Sequence, residues 1–101
     1  MYIVIIQFRR SDEQVNYHKE AHKSFLKKQV DEGNFIVSGN RTPNTGEVIL
    51  SCLPDMETLY EILQEDPFYK NRIGQYEIIE FEPDIRCQEL TDFIDEREEN
   101  S

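Results

Sequence analysis

"YIVIIQF", residues 2–8, is the stretch on which the fold turns. Its β-branched and aromatic residues predict a strand over about residues 2–9. In an extended chain, Tyr2, Val4, Ile6 and Phe8 point one way and Ile3 and Ile5 the other. Both faces are apolar. An antiparallel sheet with one wet face alternates apolar and polar residues, so this strand belongs to a sheet covered on both sides.

The elements that follow supply one cover. Ser11 with Gln14 three residues later is a capping-box pattern. Val15, His18, His22, Phe25, Leu26 and Gln29 then keep helical spacing over about residues 12–32, with Gly33 as the stop. "NFIVSGN" predicts a second strand at about 34–39, and "RTPNTG" a turn-rich loop. "EVILSCL" predicts a third strand at about 47–53. Pro54 and Asp55 open a second helix carrying Met56, Leu59, Tyr60, Ile62 and Leu63. That helix ends before Pro67, because the residue preceding proline avoids the helical region. A short turn, "PFYKNR", leads to a fourth strand, "GQYEIIEFE".

The order β-α-β-β-α-β is the split βαβ motif of an α+β, ferredoxin-like fold: a four-stranded, mostly antiparallel sheet with two helices on one face. The helices cover one of the two apolar faces and leave the other uncovered. A second copy of the chain is the expected cover, giving a homodimer. The alternative is a monomer whose C-terminal tail lies over that face.

The expected division is a domain over residues 1–84 and an acidic tail over 85–101. Residues 84–101 carry seven acids (Asp84, Glu89, Asp92, Asp95, Glu96, Glu98, Glu99) against Arg86 and Arg97. The segment reads as solvated, with one helical turn near Leu90 to Ile94. The whole chain has a net charge of −10, which argues against nucleic acid as the main partner, since phosphate binding needs clustered Lys and Arg. No run approaches the ~18 apolar residues of a membrane span, and "MYIVIIQFRR" lacks the basic segment of a signal peptide. The expected location is cytoplasmic. Cys52 and Cys87 form neither a CxxC pair nor a zinc spacing, and Cys52 reads as a small core residue.

Two places carry candidate chemistry. His18 and His22 stand one helical turn apart, but the zinc-protease pattern needs Glu after the first His and here has Lys19, while Glu20 lies off the histidine face. No third ligand follows from spacing, so no metal and no cofactor are expected. His22 shares a helical side with Phe25 and Leu26, which turns it inward or toward a cavity. As an acid–base group it needs a partner that fixes which ring nitrogen carries the proton. Asp66 before Pro67 is a good N-cap before a good first helical residue. One of its oxygens can cap while the other meets an imidazole. On residue chemistry alone, His22 with Asp66 is one pairing among many.

The opening strand, "HKSFLKKQVDEGNFIVSG" (22–39) and "DPFYKNRIGQYEIIEFEP" (66–83) together resemble the YCII-related (YciI-like) family over about residues 1–83. The resemblance implies a ferredoxin-like dimeric α/β barrel, in which two sheets pack face to face. It also implies an acid–base pair beside a cavity, which by position is His22 with Asp66; His18 has no counterpart. After the glycine of strand two many members have proline, where this chain has Asn40 followed by Arg41. Some relatives act as lyases or isomerases on small ring-derived acids. Two functions are therefore expected. One is a small enzyme moving a proton on a carbonyl- or carboxylate-bearing molecule, with His22 and Asp66 catalytic and Arg41, Phe68 and Tyr69 at the substrate. The other is a non-catalytic dimeric module that binds a metabolite or a partner protein, in which His22 and Asp66 only link helix to turn.

Overall fold

A computed structural model describes residues 1–99. The order is β1 (Tyr2–Phe8), α1 (Asp12–Asp31), β2 (Phe35–Asn40), β3 (Gly46–Ser51), α2 (Met56–Leu63), α3 (Pro67–Lys70), β4 (Gly74–Glu80) and α4 (Gln88–Glu99). The sheet runs β2-β3-β1-β4 and its three ladders are all antiparallel. This is the ferredoxin-like α+β arrangement. The strand that is apolar on both sides is central, flanked by β3 and β4.

The helix-facing side of β1 is closed off: Tyr2, Val4 and Ile6 are buried. They pack with Phe25 and Leu26 of α1, Phe35 of β2, Ile49 of β3, and Leu59 and Leu63 of α2. Burying an aliphatic or aromatic side chain of this size contributes about 1.5–3 kcal/mol, so this layer dominates the stability. The other side of β1 differs. Ile3 and Ile5 are half-buried, and in register with them stand Leu50 and Ile79, and Val48. Val37 is 54% exposed and Ile79 41%, which leaves an apolar strip along the outer face.

Local signals set the helix ends. The Ser11 hydroxyl accepts from the Gln14 N–H, and Asp12 and Glu13 lie in the first turn, where the helix dipole favours acids. α1 stops at Gly33, whose φ of 79° suits the left-handed region. Asp55 caps α2 by accepting from Thr58 N–H at 2.7 Å. At the start of β3, a Cβ on Gly46 would stand 1.8 Å from the Ile6 carbonyl oxygen. Only glycine permits that approach, which fixes the register of the residue after it, Glu47.

The acidic C-terminal segment is helical over three turns, where a single turn is expected from its composition. Leu90, Phe93, Ile94 and Arg97 recur at helical spacing and are half-buried. Ile94 and Arg97 border a recess with Cys52 and Pro54, and Arg97 comes against Gly33. Cys52 and Cys87 are free. Among the described residues no helix is long and apolar enough to cross a membrane.

Candidate functional site

The register of the sheet lays down one row of side chains. Ile6 pairs with Glu47 on one side and Tyr76 on the other, and Glu47 pairs in turn with Asn40. Ile6 faces the helices, so Glu47 and Tyr76 do as well. Above this row α1 presents His22, which is 1% exposed. The turn before α3 presents Asp66, which is completely buried.

Asp66 is held by three donors. Its Oδ1 accepts from the Phe68 N–H at 2.9 Å, which is the helix cap, and from His22 Nδ1–H at 2.7 Å. Its Oδ2 accepts from the Tyr76 hydroxyl at 2.7 Å. Burial and the neighbouring Asp66 push the Tyr76 phenol upward, so it stays a donor. The other ring nitrogen of His22, Nε2, contacts Glu47 Oε2. Burial alone would lower the His22 pKa, but the hydrogen bonds and charges of Asp66 and Glu47 outweigh it and raise it to about 9. Phe68 stacks flat on the imidazole, with centroids 3.8 Å apart and planes 7° apart, and Phe8 meets Phe68 edge-on. The ring is clamped on both edges and one face.

His22 and Glu47 open on a cavity of about 330 Å³. Phe8, Val15 and Phe68 make an apolar wall, and Asn16, Asn40 and Asn44 a polar one. Asp12 and Lys19 are its other charged groups. Asp66 is not on the cavity wall; it lies behind His22. Of the residues expected at a substrate, Phe68 lines the cavity. Tyr69 lies outside the wall and packs edge-on to Tyr76. Arg41 is exposed on the loop before β3, where its backbone N–H closes the turn onto the Gly46 carbonyl. His18 packs against Tyr17. Among the described residues no set of three or more His, Cys, Asp or Glu is arranged to share a metal ion.

Glu47 and Tyr76 were not among the expected site residues. The signal for Glu47 was present: it shares a strand face with Ile49 and Ser51, both buried, and a glutamate in that position needs a partner.

No curated protein matches the chain in sequence. Among solved structures it is similar to 5-chloro-2-hydroxyhydroquinone dehydrochlorinase from Burkholderia phenoliruptrix AC1100, in complex with 2,5-dihydroxybenzoquinone. The TM-score is 0.66 at 15% identity, covering 81% of this chain and 94% of that one. At that identity the likeness concerns the fold. The family model of the YCII-related domain matches residues 1–82, and the chain belongs to that family.

Proposed function

We propose that this protein is a small enzyme of lyase or isomerase type. It moves a proton on a small carbonyl- or carboxylate-bearing molecule by means of His22 held by Asp66. The observation that carries the reading is a buried imidazole, 2.7 Å from a buried carboxylate, at the wall of a cavity of about 330 Å³. That volume is in the range of small-ligand sites, roughly 300–1,000 Å³. An acid–base histidine needs a partner that fixes its proton, and the contact with Asp66 supports that role for it. Phe68 walls the site in this reading, Arg41 serves its outer rim, and Tyr69 backs it through Tyr76. The fold neighbour, itself a dehydrochlorinase solved with a small quinone, is in keeping with eliminations on this scaffold, although one fold hosts many functions.

The working unit in this reading is a cytoplasmic homodimer. Its two sheets meet through Ile3, Ile5, Val48, Leu50 and Ile79, with residues 1–84 as the body and 85–101 as an appended acidic segment. The apolar outer strip and the two unpaired cysteines support it. One observation favours the second reading, a non-catalytic module: both ring nitrogens of His22 are engaged by carboxylates. The discriminating experiment incubates the protein in D₂O with a panel of small ketones, keto acids and hydroxylated ring acids. Proton NMR follows deuterium incorporation or elimination. The enzyme reading expects turnover that His22→Asn abolishes. Turnover by no member of the panel favours the module, and equal turnover by the variant removes His22 from the reaction.

A further inference from the structure

Both ring nitrogens of His22 are committed, Nδ1 to Asp66 and Nε2 to Glu47. A carboxylate offers only lone pairs, so each contact calls for a proton on the ring. The ring is then an imidazolium, in keeping with a pKa near 9, and has no lone pair to offer a ligand. Asp66 accepts three hydrogen bonds and is shut away from solvent. Glu47 differs from both. It lines the cavity, its side chain is 10% exposed, and one contact to His22 leaves most of its lone-pair positions unused.

We propose that Glu47 is the group that meets the ligand, as proton acceptor, with His22 as its fixed cationic partner and Asp66 as the residue that positions His22. This rests on the acid–base reading above and reassigns the accepting role within it. It also narrows the ligand. The end that enters beside Glu47 carries a proton to give: a hydroxyl, an amine, or a C–H acidified by a neighbouring carbonyl. A carboxylate end would meet Glu47 as like charge, and belongs instead beside Lys19, one turn earlier on α1. In the transfer step the X–H bond of the ligand breaks, the proton goes to Glu47, and the electron pair stays on the ligand. Lys19 and the amides of Asn16, Asn40 and Asn44 face the resulting negative charge. The imidazolium keeps both protons throughout. The charged or titratable groups around Glu47 and His22 are Asp12, Lys19, Lys23, Lys27 and Asp31 from α1, Asp66 from the turn before α3, and Tyr76 from β4.

The test reads the His22 ring by nitrogen-edited NMR in the native protein, E47Q, D66N and E47A, the last with and without sodium formate. The native ring is expected to hold both protons through neutral pH. In E47Q its proton affinity should fall at least about tenfold, with Nε2 losing its proton and Nδ1 keeping its bond to Asp66. In E47A, millimolar formate should restore the native titration by entering through the cavity to the vacated place, while leaving the native protein unchanged. An unaltered titration in E47Q overturns the proposal, because Glu47 is then not the group that holds the Nε2 proton. Loss in E47A without formate rescue also overturns it, because the place beside Nε2 is then closed to ligands. D66N separates the two readings. A shift in D66N alone leaves the His22–Asp66 pair standing and removes Glu47. A shift in E47Q alone does the reverse, and no shift in either removes both.

Discussion

Asp66→Asn is the most informative single change, and its cost can be worked from the geometry. Asparagine keeps the cap, since its Oδ1 can still accept from the Phe68 N–H. Its amide group faces Tyr76, whose hydroxyl can turn to accept. What disappears is the negative charge beside the His22 imidazolium. With His22 at about 9, its proton is held by about two pH units at pH 7, each equal to about 1.4 kcal/mol. Asp66 and Glu47 share that coupling, so losing Asp66 alone costs up to about 3 kcal/mol. That is the low end of the 3–5 kcal/mol for a broken buried pair, because the imidazole can shed its proton instead of remaining stranded. From sequence alone, the same change is expected to lower the imidazole pKa while leaving the fold intact. The complete burial of Asp66 is what adds the stability cost.

The pH dependence gives the test its edge. The folded pKa of His22 lies above the unfolded value of ~6.5, so the folded state holds a proton that the unfolded chain has released. The stabilisation is complete below about pH 6.5 and fades as pH rises through 9. The gap between the native protein and Asp66→Asn should therefore be up to about 3 kcal/mol of electrostatic coupling at pH 7, added to about 1 kcal/mol for the altered Tyr76 bond. By pH 10 it should shrink to about 1 kcal/mol, the cost of the altered Tyr76 bond. Urea unfolding followed by circular dichroism measures both values. Protein concentration is held constant, because the stability of a dimer depends on it. An equal gap at pH 7 and pH 10 would refute the electrostatic coupling.

Two further outcomes are expected. Light scattering at micromolar concentration should give about twice the 12.1 kDa chain mass, and Ile5→Lys on the outer sheet face should dissociate or unfold the dimer, because a buried unpaired charge is costly; a native monomer refutes the interface. A chain ending at Gln88 should keep its thermal midpoint within a few degrees, because the contacts of α4 with Cys52, Pro54 and Gly33 lie at the edge of the body; a large drop would make α4 part of the core.

The strands and main helices were legible because their signals are local. The capping pair Ser11 and Gln14, the stop at Gly33 and the break at Asp66–Pro67 all act within a few residues. The cap at Asp66 is of this kind, since the Phe68 N–H is two residues away. The contact of His22 with Asp66 spans 44 residues of chain; family resemblance singled it out where residue chemistry left many pairings open. Glu47 went unread because the face of a strand depends on register, and here the close approach of Gly46 to Ile6 sets it. The length of α4 was hidden by its charge: the stripe of Leu90, Phe93, Ile94 and Arg97 is thin among acids. The cavity has no sequence signal, because it is a gap among side chains from α1, α3 and three strands.

Stability alone does not favour what is built beside that gap. Asp66, His22 and Glu47 place two carboxylates and one imidazolium at low exposure, and removing such charges from water costs several kcal/mol each before their attraction returns it. Apolar residues of similar volume are often neutral or better in such positions. The neighbours on the same faces are of that kind: Phe25 and Leu26 beside His22, and Ile49 beside Glu47. The polar trio is confined to the place where the core meets the cavity, and its one member with lone pairs to spare, Glu47, lies on the cavity wall beside His22. A trio sealed on every side would bear the full cost of desolvation. Glu47, turned into the cavity, keeps part of its hydration there, and a ligand that enters meets its carboxylate.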